Sequence, residues 1–156
     1  MRIFAVDRES LLVHVDGQAS LRDVETALAR EGLTLDVQDA KARDETVRAW
    51  LESGAPGARS VWLDPADHLV AGFTARRSGE SSFSVKPAPR RAVGPDLLAL
   101  VSGLGGKLLA LESVWLRVHR VDATRPSAPF EDDSSEPPND DERALFAAIE
   151  RELARD

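Results

Sequence analysis

Hydrophobic and polar positions alternate along this chain with two different periods, and the switches between them divide it into elements. Residues 3–6 are a short apolar run. In residues 11–16, Leu11, Val13 and Val15 share one face and Leu12, His14 and Asp16 the other, the period of a half-buried strand. The polar residues 7–10 between the two runs predict a hairpin, and Gly17 ends it. Ser20 then opens a predicted helix. Serine is a good N-cap, Asp23 approximates a capping box, Leu21, Val24 and Leu28 form a stripe, and Gly32 supplies the stop. Leu33, Leu35 and Val37 alternate with Thr34 and Asp36 and predict another strand.

Asp44 is the expected cap of a second helix, with Val47, Trp50 and Leu51 at helical spacing and Gly54, Pro56 and Gly57 as its end. Residues 58–68 read as irregular, because Pro65 disfavours helix at Asp64. Residues 69–76 and 82–86, joined by Ser78-Gly79-Glu80, make the clearest hairpin in the chain. An extended connector follows over 87–91, and Asp96 opens a short helix over 97–101. Gly103, Gly105 and Gly106 make a turn, and a long strand begins at Leu108, with Val114, Leu116 and Val118 facing one way and Trp115, Arg117 and His119 the other. The stretch 94–120 is expected to form the middle of the sheet.

The pattern then stops. Residues 125–142 are rich in proline, serine and acids and read as a linker. Periodicity returns in 143–156, where Leu145, Ile149 and Leu153 recur every four residues with Phe146 and Ala148 alongside, behind a cap at Asp140 or Asp141. A helix this short is marginal alone, so its stripe needs a partner, either the chain's own domain or another protein. The expected architecture is α+β: a largely antiparallel sheet of five or six strands with two or three packed helices over residues 1–124, then the linker and the terminal helix.

Composition narrows the function classes. The 156 residues suit one domain, with 42% hydrophobic and 30% charged side chains, as in a soluble globular protein. No apolar run is long enough to span a bilayer and no signal core opens the chain, so a cytoplasmic location is expected and a membrane partner is not. The absence of cysteine removes disulfides, thiolate metal sites and cysteine nucleophiles. The net charge of −7 divides into three zones: residues 1–75 carry 8 basic and 13 acidic side chains, 76–125 carry 9 and 4, and 126–156 carry 3 and 10. A basic middle beside an acidic tail favours intramolecular attraction or an acidic-tail contact with a protein partner, and argues against nucleic acid.

Local chemistry is sparse. Asp64, Asp67 and His68 have metal-ligating side chains but no second ligand group at matching spacing, so they read as a polar turn and no metal is expected. His119 beside Arg117 reads as an anion site or a solvated strand face. There is no G-x-S-x-G elbow, and Lys107-Leu108 does not complete a Walker loop. No catalytic residue is assigned.

The run VDRESLLVHVDGQASLRDVETALAREGLTL, which begins at Val6, places Leu28, Gly32, Leu33 and Leu35 on the pattern aLxxxGLxL. The hairpin of 69–85, the connector PAPRRAVGPDL and the segment GLGGKLLALESVWLRVHR follow it in order. Over roughly residues 3–121 this order resembles the second subdomain of the flavin domain in the FAD-binding oxidase superfamily. The type is the PCMH or vanillyl-alcohol oxidase one, alkyl-dihydroxyacetonephosphate synthase-like. The resemblance implies a cofactor region made of Arg90, Arg91, Gly94 and Asp96 in the connector, and of Gly103, Gly106 and Leu109 in the closing turn. Arg90 and Arg91 fit a phosphate or carboxylate, the chain's own acidic tail, or a plain surface.

Three departures shape the functional expectation. The family's first βαβ unit, whose glycine-rich loop holds the FAD pyrophosphate, has no counterpart in these residues. The family's closing turn is similar to G-x-x-G-x-x-G-V-I; Gly103 and Gly106 fit its first two glycines, but Leu109 stands at the third. The place of the substrate-side cap domain is taken by the acidic linker and the terminal helix. None of the three histidines suggests covalent flavin attachment, since His14 and His119 fall in strands and His68 in an irregular segment. The expectation is a truncated, non-catalytic relative acting as a binding or regulatory module, with no bound cofactor. The alternative is a genuine FAD-binding subunit of an oxidoreductase, completed by another chain.

Overall fold

A computed structural model describes residues 3–39, 41–58, 69–77, 80–87, 100–103 and 106–121. The chain opens with the hairpin β1 (Ile3–Asp7) and β2 (Leu12–Asp16). Asp7 makes the turn: its Oδ1 accepts from the backbone N–H of Glu9 at 3.0 Å and of Ser10 at 2.9 Å. Leu11 closes that turn at φ 55°, so it belongs to the reversal rather than to the strand face expected for it, although its side chain still packs on the core.

The α-helix α1 (Leu21–Arg30) follows its local signals closely. Ser20 Oγ accepts from Asp23 N at 3.1 Å, Leu21, Val24 and Leu28 are fully buried, and Gly32 sits at φ +70° past the helix end. The chain then forms only a two-residue strand, β3 (Leu33–Thr34). Leu33, Leu35 and Val37 are all buried as expected, but Asp36 at φ 57° breaks the extended run. Glu25 of α1 holds this segment instead. Its carboxylate accepts from Thr34 Oγ1 at 3.1 Å and from Leu35 N at 3.0 Å.

Burial pushes the Glu25 carboxyl above its ordinary value of 4.5, while bonds from Thr34 and from the Leu35 and Val37 N–H groups, with the Arg43 charge, pull it back down. A carboxyl raised on folding binds more protons in the native than in the unfolded state. Its stabilising share is therefore full below the unfolded value and is lost as pH rises through the folded one. Glu25→Gln should keep one acceptor oxygen and remove that loss. Urea titrations at pH 4.5 and 7 should show wild type losing ground to the variant as pH rises; parallel curves would contradict the assignment.

A single 3-10 turn, Ala42–Asp44, leads to the α-helix α2 (Val47–Glu52). The cap of α2 is Thr46, not Asp44: Thr46 Oγ1 accepts from Ala49 N at 3.1 Å. Asp44 ends the 3-10 turn and pairs with Arg22 of α1, whose Nε lies 3.1 Å from Oδ1. The two caps, Ser20 and Thr46, form a β-bridge, with Val47 N donating to Ala19 O at 2.8 Å and Leu21 N to Glu45 O at 3.0 Å. Both helices therefore start from one rung. Val47, Trp50 and Leu51 are fully buried, and Gly54, Ala55 and Gly57 at positive φ reverse the chain.

The remaining strands are β4 (Val70–Arg76), β5 (Phe83–Val85), β6 (Ala110–Arg117) and the short β7 (His119–Arg120). Five of the seven form one antiparallel sheet in the order β1-β2-β6-β4-β5, and β3 pairs with β7. The long strand is central, as its alternation implied. It pairs with β2 through His14↔Trp115 and with β4 through Phe73↔Val114. Val13, Val15, Phe73, Val114 and Leu116 face the helices and join their stripes in a single core. The result is the α+β architecture expected, with two α-helices on one sheet face. Among the described residues no helix is long and apolar enough to cross a membrane.

Several expected features lie outside the described residues. They are the candidate metal group Asp64, Asp67 and His68, most of the connector and short helix with Arg90, Arg91, Gly94 and Asp96, and the boundaries at 124/125 and 142/143 with the linker and terminal helix.

Candidate functional site

The turn that the resemblance assigns to cofactor closure is anchored to the end of α2. Gly103 N donates to Leu51 O at 2.9 Å, and both Gly103 (φ +75°) and Gly106 (φ +69°) adopt the left-handed backbone that favours glycine. At Gly103 the requirement is conformational, since an added Cβ would lie 3.8 Å from Gly54 Cα, an ordinary contact. At Gly106 space is also short: an added Cβ would lie 2.6 Å from Glu52 Oε1 and 2.8 Å from its Cδ.

Glu52 is the last residue of α2, and its side chain is only 19% exposed. Arg48, one turn earlier, fixes it with Nε 2.7 Å from Oε1. The Glu52 carboxylate thus rests against the backbone of the turn at Gly106. Oriented N–H groups and the positive end of a helix attract phosphate; here the turn meets the C-terminal end of α2, whose last side chain is ion-paired with Arg48. Leu109, which stands where the resemblance expects a third glycine, is half-buried and packs against the principal core. Lys107 between them is exposed and engaged within the chain.

Three of the seven candidate residues, Gly103, Gly106 and Leu109, are therefore brought together at the junction of α2 and β6. Arg117 lies opposite Leu12 in the five-stranded sheet and His119 opposite Thr34 in the two-stranded one, and each is engaged within the chain. Among the described residues no group of three metal-ligating side chains converges.

A second cluster was not legible as a unit in the sequence. On the sheet face opposite the helices, His14 stacks on Trp115 with ring centroids 4.5 Å apart and planes 8° from parallel. Phe4 from β1 meets the same imidazole at 4.8 Å, and His14 Nε2 lies 3.0 Å from Ser113 Oγ. Burial lowers the His14 pKa from its ordinary 6.5, so the ring is neutral at pH 7 and behaves as an aromatic, not a cation. Period-two patterning placed each residue on a strand face. Only the register His14↔Trp115 joins the faces into one surface.

No protein-family model matches the chain, and no curated protein sequence does. Solved structures do. Alkyldihydroxyacetonephosphate synthase in a P212121 crystal form superposes with a TM-score of 0.64 at 15% identity, and the same protein in a P1 form with 0.63 at 15% identity. Each match covers 78% of this chain and 22% of the synthase chain, so the likeness is to about a fifth of that protein. It is a likeness of fold alone.

Proposed function

We propose that the chain is a non-catalytic binding module that keeps the framework of a flavin domain and uses its closing turn as a structural joint. The observation that carries this reading is the Glu52 carboxylate, held by Arg48 against Gly106. Leu109, packed on the core, supports it. With those two groups in place, the space beside the turn is filled by the Glu52–Arg48 pair and by Leu109, and the turn faces a helix C-terminus rather than the N-terminus that a diphosphate favours. The module's binding activity is directed at protein, through its surfaces and its acidic C-terminal segment.

The test is direct. Purified protein should be colourless, and titration with FAD in large excess should give neither saturable quenching of flavin fluorescence nor a thermal shift. A yellow preparation, or saturable quenching, would remove the proposal. The fold likeness favours a second reading, in which the chain contributes one piece of a flavin site and another polypeptide the rest. On that reading flavin co-purifies only with a complex, and the isolated chain brings down a flavin-containing partner.

A further inference from the structure

One part of the outer face of the five-stranded sheet, over β1, β2 and β6, is aromatic. An antiparallel sheet with helices on one side commonly shows polar residues on the other. Here three adjacent strands present Phe4, His14 and Trp115 in ring contact, and Phe4 remains 55% exposed. Leu12, which alternates with Val13 and so points to this outer face, retains only 4% of its surface although it is not part of the principal core. With His14 neutral at pH 7, the landing area is apolar and aromatic at its centre, and Arg117 lies on the same face of β6 beyond Trp115.

We propose that residues 143–156 of the same chain dock on this face as an amphipathic helix, with Leu145, Phe146, Ile149 and Leu153 against Phe4, His14 and Trp115. Two observations select this occupant. The first is its stripe, apolar every four residues and too short to be stable alone. The second is reach. Val121 follows Trp115 by six residues, and the 21 residues of 122–142 span roughly 25 Å as a flexible coil, whereas three adjacent strands span about 10 Å. This inference does not depend on whether flavin binds.

The chain has no cysteine, so a single introduced thiol is a clean reporter. Phe4→Cys should react with a thiol reagent about tenfold faster when Ile149→Asp and Leu153→Asp are also present, the increase expected for losing a protecting segment of modest stability. Arg30→Cys, on the exposed side of α1, should react equally with either tail. In the cysteine-free chain the same tail substitutions should shift tryptophan emission to the red, and Trp115→Phe should abolish that shift. Far-UV circular dichroism should lose no more helical signal than the 14 residues of 143–156 account for, so that the main domain is seen to stay folded. Labelling of Phe4→Cys that ignores the tail would mean that another segment covers the face and would overturn the proposal. So would protection that grows with protein concentration, which would place the helix on a second molecule.

Discussion

Replacing Trp50 with alanine should cost about 3–5 kcal/mol, the range for removing a large aromatic from a close-packed core. Trp50 heads the fully buried side chains by volume. The helix that carries it is six residues long, far below the length at which a helix holds itself in water. The ring also fixes the following reversal: its Nε1 donates to Pro56 O at 2.9 Å, and its backbone carbonyl accepts from Ala55 N at 2.8 Å. Urea denaturation followed by circular dichroism measures the loss. A cost below about 2 kcal/mol would mean that α2 and the 54–58 loop collapse into the cavity. Trp50→Phe separates the parts. It keeps most of the volume and strips Pro56 O of its donor, for an expected loss of about 1–3 kcal/mol.

Gly57→Ala should be nearly as damaging, for two reasons that can be measured apart. Its φ of +71° places any L-residue in the left-handed region, at about 1–2 kcal/mol. An added Cβ would also lie 2.4 Å from Asp39 N and 2.7 Å from Asp39 Cβ, a collision that no side-chain rotation at position 57 relieves. The segment cannot simply step back, because Gln38 N donates to Gly57 O at 2.8 Å. Crowding of this kind adds about 1–3 kcal/mol, for about 2–5 in all. Gly32→Ala is the control. It has nearly the same φ, +70°, with nothing within 4 Å of the added Cβ, so it should show only the conformational share. Equal losses at the two positions would remove the steric argument.

Features fixed by neighbours in sequence were legible beforehand. In α1 the cap, the apolar stripe and the glycine stop all lie within thirteen residues of one another, and all three are realised. The alternation of Leu33, Leu35 and Val37 correctly announced burial, but strand pairing reaches only Leu33 and Thr34, because the left-handed Asp36 breaks the extended run. Asp44 and Thr46 are both good cap residues, and the choice between them is tertiary: Asp44 is drawn to Arg22 on the neighbouring helix. The same limit applies to the candidate site. That Leu109 stands where the resemblance expects a glycine was visible in the sequence; that Glu52 lies against Gly106 follows from how α2 meets the turn, and no local spacing encodes it. The ring cluster of Phe4, His14 and Trp115 depends on strand register across about a hundred residues, which one sequence does not specify.

The central position of β6 also sets the order of events during synthesis. β2 acquires its second neighbour only when residues 113–117 are available to meet residues 12–16, because the ladder between them joins nearly opposite ends of the described chain. At about 5–20 residues per second, a ribosome leaves the early hairpin with one bare edge for roughly 5–20 seconds. Through that interval Val13 and Val15 have their helices but lack the strand that completes the sheet. Such distant pairing makes for slow folding and an aggregation-exposed nascent state. The capped helices, joined to each other through Ser20 and Thr46, are the part able to shelter the hairpin until β6 arrives.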